Sequence, residues 1–156
     1  MKLLVQEALM SFDHFTVWDA DGAEKYTGDR ELFQLSRTVH LSDLQGRNLV
    51  TVSHIPFTVP SCWSVEIPTR TLSLQKHITL MKTRFTVEEL GWEVERPALS
   101  FDYTVTDASG REVASIYKEW PALHDRYTLE IADPANELAV LGVVIAIDCQ
   151  RERERN

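Results

Sequence analysis

Leu138-Ala139-Val140-Leu141-Gly142-Val143-Val144-Ile145-Ala146-Ile147 is a run of ten residues without one polar side chain. A helix on a protein surface shows a polar stripe, so a helix made of this segment has to be surrounded by protein. A central strand is the competing reading, since Val and Ile suit a sheet covered on both faces. The flanks favour the helix: Asp133 is a good N-cap and Pro134 suits the first helical position. The pattern therefore predicts a central helix over about 134–148. Gly142 in its middle costs helix stability unless something packs tightly against it. Ten residues fall well short of the roughly 20 that span a bilayer. Asp148, at the end of the run, is read as the point where the helix emerges into water, because an unpaired buried charge is costly. The tail Arg151-Glu152-Arg153-Glu154-Arg155-Asn156 reads as solvated.

Upstream of the helix, alternation with a period of two dominates. In Phe101-Asp102-Tyr103-Thr104-Val105-Thr106 the apolar residues occupy odd positions and the polar ones even positions. Arg126 to Ile131 repeats this, and Trp92-Glu93-Val94-Glu95 does so in miniature. Strands with one face buried and one wet give this pattern, because successive side chains point to opposite faces. Further strands are expected at Leu3–Leu9, Phe15–Trp18, Thr38–Leu41, Leu49–Ile55, Trp63–Ile67, His77–Met81, Arg84–Val87 and Glu112–Tyr117. Three turns share a D-x-x-G pattern: Asp19 to Gly22, Asp43 to Gly46 and Asp107 to Gly110, each after a Thr-Val pair. Asp bonds the backbone ahead of it and Gly takes the positive φ that closes a hairpin. The chain is thus a run of antiparallel hairpins. Wrapping them round the apolar helix buries every face of it and leaves few free strand edges. One domain over 1–150 is expected, of mostly-β class, with 151–156 as a charged tail.

The 156 residues carry a formal charge of −8, with 44% hydrophobic and 26% charged residues. This is ordinary globular composition, and the acidic balance argues against nucleic acid as a partner. Two cysteines, Cys62 and Cys149, are too few for a disulfide framework. The short apolar start at Leu3-Leu4-Val5 is no signal peptide. The expected location is cytoplasmic, or peripheral at a membrane, with no transmembrane segment.

Candidate chemistry is sparse. The five histidines show no metal-ligand spacing, and no metal or other cofactor is expected. Asp19-Ala20-Asp21-Gly22 places its Gly too early for a calcium loop. Ser53-His54 and Cys62 sit in no nucleophile motif. The local anomaly is electrostatic: from Ile67 to Val87 there is no Asp or Glu, yet Arg70, Lys76, Lys82 and Arg84 lie there beside His77. Two apart on a strand, Lys82 and Arg84 share a face. Such a patch suits a phosphate or a lipid headgroup, whereas ordinary solvated strand residues are the plainer account. Phe57, Trp63 and Phe85 read first as core aromatics, and otherwise as an apolar edge for membrane contact.

Taken together, these segments resemble the LURP-one-related family, within the tubby-like superfamily that includes phospholipid scramblases. The likeness rests on Ile131-Ala132-Asp133-Pro134 leading into Leu138–Asp148 as a central helix. It rests also on Lys118-Glu119-Trp120 followed by Tyr127-Thr128-Leu129-Glu130-Ile131 as a last hairpin, and on Trp92 to Glu95, Phe101 to Tyr103 and Asp107 to Arg111 ahead of it. The resemblance implies a closed antiparallel barrel of about twelve strands threaded by the C-terminal helix. For function it implies binding more than catalysis, since tubby domains are known for phosphoinositides and scramblases for membranes. This chain is acidic and lacks the cysteine-rich segment and spanning tail of scramblases, which argues against scrambling. The expectation is a non-enzymatic binding or scaffold module for an anionic lipid headgroup or phosphate-bearing ligand, with Arg70, Lys76, Lys82 and Arg84 as anion ligands. A regulatory protein–protein interaction domain is the alternative, and an enzyme the remotest reading.

Overall fold

The hairpins form as their sequences dictate. Each turn Asp accepts backbone N–H bonds from the residues two and four positions on, at 2.9–3.1 Å: Asp19 from Asp21 and Ala23, Asp43 from Gln45 and Arg47, Asp107 from Ser109 and Arg111. The Gly that ends each turn is left-handed, with φ of 80°, 82° and 82° at Gly22, Gly46 and Gly110. The strand register shifts beside each turn, between Val17 and Trp18, Leu41 and Ser42, and Val105 and Thr106. One extra residue on one strand is what a glycine bulge inserts.

The computed structural model describes residues 1–8, 11–31, 38–118 and 126–155. Twelve strands follow one another: β1 (Lys2–Ala8), β2 (Ser11–Asp19), β3 (Glu24–Glu31), β4 (Thr38–Asp43), β5 (Asn48–His54), β6 (Cys62–Ile67), β7 (Arg70–His77), β8 (Lys82–Val87), β9 (Trp92–Pro97), β10 (Tyr103–Thr106), β11 (Glu112–Lys118) and β12 (Arg126–Ile131). Each pairs antiparallel with its chain neighbours, and β1 pairs with β12 to close the barrel. Closure removes both sheet edges, which would otherwise recruit other strands.

A single 3-10 turn, Pro134–Asn136, leads into α1 (Glu137–Arg155). The Asp133 carboxylate accepts the Ala135 N–H at 3.0 Å, as an N-cap should. The helix runs up the barrel axis, and Ala139 to Gln150 are all buried. Val17, Leu41, Val65, Leu74, Val94 and Leu129 face it from the wall, each fully buried. Gly142 is where wall and helix come closest: a Cβ there would lie 2.3 Å from Val65 Cγ1 and 3.3 Å from Val50 Cγ1. On β3, Gly28 sits under the Phe15 ring, which occupies the place of its missing side chain. Along most of the barrel the inward positions are apolar and the outward ones polar, the reverse of a barrel that spans a membrane. Among the described residues no helix is long and apolar enough to cross one.

The structure departs from the sequence reading at four places. β3 was not anticipated. The strand expected at His77–Met81 lies instead at Arg70–His77, and 78–81 is a loop. The strand expected to start at Phe101 begins at Tyr103. The helix continues through most of the charged tail, to Arg155.

Antiparallel order gives the barrel two unlike ends. Even-numbered strands run into short turns, including the three D-x-x-G hairpins, and β12 hands over to the helix there. Odd-numbered strands run toward the opposite end, where the helix finishes. There 55–61, 78–81 and 98–102 connect successive strand pairs. The segments 9–10, 32–37 and 119–125 lie outside the described residues, and with them the expected Lys118-Glu119-Trp120 junction beyond Lys118.

Candidate functional site

At the end where the helix finishes, the inward positions of the wall change character. Two residues beyond its last inward small or apolar residue, each odd strand from β3 to β11 places a basic group inward. These are Arg30 after Gly28, His54 after Val52, Lys76 after Leu74, Arg96 after Val94 and Lys118 after Ile116. Period two carries them inward, because the strand does not change face. The result is a basic collar around the helix C-terminus, whose dipole favours cations.

The helix answers part of this collar with carboxylates. Arg30 Nη1 donates to both Glu152 oxygens at 2.6 and 2.7 Å, and its Nη2 donates to Asp148 Oδ2 at 3.0 Å. Burial works against the Arg30 charge, but the hydrogen bond and field of Glu152, with Asp148, outweigh it and raise its pKa. Tyr127 donates its hydroxyl to Asp148 Oδ1 at 2.6 Å and accepts from Arg151 Nη1 at 3.2 Å. Asp148 is therefore a paired, buried carboxylate and not the point of emergence expected above. Val5, Phe15, Val144 and Ile145 line a small, half-open pocket beside this network.

Lys76 reaches Glu154 in the last helical turn. Burial, then the nearby Arg96 charge, pushes the Lys76 ammonium below its ordinary pKa. Trp63 Nε1 donates to Gln150 Oε1 at 2.9 Å, and Gln150 Nε2 donates to Glu154 Oε1 at 3.0 Å, which anchors the helix end. Among the described residues Arg96 meets neutral groups: Nη1 donates to the Ser100 carbonyl at 2.7 Å, Nη2 to Thr83 Oγ1 at 3.0 Å, and the guanidinium lies over the Tyr103 ring at 5.6 Å. Its Nε is buried without a partner among the described residues.

Of the four anion ligands expected from sequence, three gather at this end. Lys76 points inward. Lys82 and Arg84 share the outer wall of β8, where Lys82 donates to Glu95 Oε1 at 2.7 Å and Arg84 Nε to Glu93 Oε1 at 3.1 Å. The Arg84 hydrogen bond, with the Arg84 and Lys82 charges, holds the Glu93 carboxyl below its usual pKa. His77 stands opposite Arg84 and meets Thr86 Oγ1 at 2.7 Å. Arg70 starts β7 at the opposite end, next to the Ile67 turn, and is not part of the cluster. Sequence reasoning missed Arg30, His54, Arg96 and Lys118 because it sought runs of charge. The signal was a basic residue at the same inward step of successive strands.

The candidate nucleophiles Ser53 and Cys62 do not face His54, and the charged group that acts on the Cys62 thiol is Glu89. His54 points inward and stacks edge-on against Trp63 at 5.0 Å, while Ser53 and Cys62 take the outward positions of their strands. Burial and the Arg153 charge lower the His54 pKa, and burial raises the Cys62 thiol. Neither shift makes a thiolate–imidazolium pair. Among the described residues no three of His, Cys, Asp and Glu converge as metal ligands. Trp63 and Phe85 are core, as first read, whereas Phe57 is fully exposed.

A closed twelve-stranded antiparallel barrel threaded by a C-terminal helix defines the tubby-like class. Residues 1–148 match the family model described as LURP-one-related, and the chain belongs to that family. It is similar to the uncharacterized protein YxjI of Bacillus subtilis (strain 168), with 24% identity over 150 residues, covering 95% of this chain and 92% of the relative. An X-ray structure of an Arabidopsis thaliana protein shares the fold, at a TM-score of 0.59 and 16% identity, covering 96% of this chain and 91% of the other.

Proposed function

We propose that this chain is a binding module that holds an anionic lipid headgroup, or another phosphate-bearing group, at the end of the barrel where the helix finishes. The observation that carries the reading is the collar, in which five successive odd strands each turn a basic residue inward at one end of an otherwise acidic chain. Arg96 is its anchor, since among the described residues its planar fork meets neutral partners, and guanidinium suits phosphate oxygens. Lys82 and Arg84 widen the patch on the outer wall. Their carboxylate partners are half-exposed, and exposed pairs contribute only about 0–1 kcal/mol, so exchange of carboxylate for phosphate is cheap. The filled interior supports binding over turnover, because the helix occupies the space where a barrel enzyme would hold substrate.

Co-sedimentation with vesicles tests this. Wild type is expected to bind vesicles containing phosphatidylserine more tightly than pure phosphatidylcholine, with the difference shrinking between low and physiological salt. Arg96→Gln, and separately Lys82→Glu/Arg84→Glu, are expected to lower binding to the anionic vesicles about five- to tenfold, measured below the thermal transition of each variant. Equal binding to both vesicles at low salt would overturn the anionic reading. A protein partner then becomes the reading to pursue.

A further inference from the structure

The loops that crown this end carry side chains that a folded protein normally hides. Phe57 and Val59 project from 55–61, Ile78, Leu80 and Met81 from 78–81, and Leu99 from 98–102, all largely or fully exposed. The three loops join β5 to β6, β7 to β8 and β9 to β10, which are successive around the barrel. Loop 55–61 also packs on β7, the strand that leads into 78–81: Lys76 N–H donates to the Ser61 carbonyl at 3.0 Å, and Gln75 Nε2 donates to the Pro60 carbonyl at 3.0 Å. Side by side at one end of the barrel, the three sets of apolar tips make up a crown. Phe57 adds backbone strain, since its φ of 62° is left-handed without being glycine. The fold holds an aromatic ring in water at a conformational cost, with no internal contact to offset it.

We infer that this crown inserts into the hydrocarbon edge of a lipid bilayer, with Phe57, Val59, Ile78, Leu80, Met81 and Leu99 as the inserting side chains. Two features select a bilayer over a protein partner. The tips stand on three separate short loops, two on 55–61, three on 78–81 and one on 98–102, and a fluid acyl layer accepts such an array without a matching surface. Charge also fits: 55–61 and 78–81 carry no charged residue and 98–102 carries only Asp102, while the basic groups stand just behind them at Lys76, Lys82, Arg84 and Arg96. Apolar tips backed by cations are what a peripheral protein presents to the headgroup boundary. The inference rests on the placement of the site at this end, and it adds a contact that does not depend on lipid charge.

The test uses the full chain and phosphatidylcholine vesicles in high salt, where headgroup charge is absent and protein charge is screened. Wild type is expected to bind. Phe57→Ser/Leu80→Ser is expected to weaken binding about a hundredfold, roughly tenfold for each buried apolar side chain lost. Leu44→Ser is the control: Leu44 is 56% exposed, but it tips a hairpin at the opposite end, so its loss is expected to change nothing. The substituted tips touch no core residue, so circular dichroism and thermal midpoint are expected to stay at wild-type values. Neutral-vesicle binding that the tip variant loses, but that Leu44→Ser leaves intact, supports insertion even if the anionic reading fails. Absence of neutral-vesicle binding, or equal binding by the tip variant, overturns insertion even if the anionic reading stands. Self-association of wild type that the tip variant abolishes, without lipid binding, assigns the crown to a second copy of the chain and overturns insertion too.

Discussion

At the scale of single residues, two positions decide whether the helix fits its barrel. Gly142 is a poor helix former, and Ala in its place is worth about 1 kcal/mol in propensity alone. Packing opposes that gain, because an added Cβ would stand 2.3 Å from Val65 Cγ1. Overpacking a filled core costs about 1–3 kcal/mol. Gly142→Ala is therefore expected to lower stability by about 1–2 kcal/mol in urea unfolding, and Gly142→Ala/Val65→Ala to recover part of it; a Gly142→Ala protein more stable than wild type would refute the close approach. Asp148 is the second position. Its carboxylate takes a hydrogen bond from Tyr127 and one from Arg30. Arg30 keeps Glu152 when Asp148 is lost, so the cost is less than that of orphaning a buried charge. Asp148→Ala is expected to destabilise by about 1–3 kcal/mol, with Tyr127→Phe adding less than its own effect on top, since the two share one bond. Strict additivity of the two would show that they do not cooperate. The tight approach at Gly142 was legible in the sequence as a demand for close packing. The partners of Asp148 were not, because Tyr127 and Arg30 lie 21 and 118 positions away in the chain.

At the scale of elements, the D-x-x-G hairpins were readable because all their determinants lie within five residues. Their Asp side chains also make them sensitive to acid. A side-chain bond from Ser109 opposes the effect of burial and, with backbone bonds from Arg111 and Ser109, lowers the Asp107 pKa. At Asp43 burial opposes, and the backbone and side-chain bonds from Arg47 prevail, so its pKa is also lowered. A carboxylate whose folded pKa lies below its unfolded value near 4 stabilises the fold fully above that value. The contribution is lost as pH falls through the folded pKa. Thermal stability is thus expected to decline below about pH 4, and Asp107→Asn to reduce the steepness of that decline. A variant with an acid limb as steep as wild type would show that the turn carboxylate is not among the groups responsible. β3 was unreadable for the opposite reason. Its inward positions are Tyr26, Gly28 and Arg30, where the Phe15 ring fills the Gly position and helix carboxylates hold the Arg. The apolar alternation that announces a strand is absent there, although the strand is paired on both sides. β7 was misplaced because Ile78, Leu80 and Met81 look like strand residues while standing in water. Sequence rules fail most often where a surface is kept for a purpose other than folding, and this failure falls on the crown.

At the scale of the whole molecule, neither part completes a core alone. The helix is apolar on every face, and the wall is apolar only on its inner face, so each supplies the other's hydrophobic partner. Closure adds to the dependence, because β1 and β12 come from opposite ends of the chain and pair over five residues, Lys2 with Glu130 through Gln6 with Arg126. Removing α1 would leave an empty tube whose inward Val and Leu face water. Replacing the buried half of the helix by shorter side chains would open a void along the axis, at about 2–5 kcal/mol for each large residue cut to Ala. A chain ending at Asp133 is accordingly expected to show no cooperative thermal transition and to bind a hydrophobic dye, as collapsed chains without fixed packing do. The intact chain is expected to unfold in one transition, with coincident near- and far-ultraviolet circular dichroism. A truncated chain that still melts cooperatively would mean the wall closes without its axis. The helix would then be a removable plug, and its C-terminal carboxylates at Asp148, Glu152 and Glu154 would be free to leave the basic collar. A collar released in that way would meet anions far more strongly than the one observed, so the truncation experiment bears on the binding reading as well as on the fold.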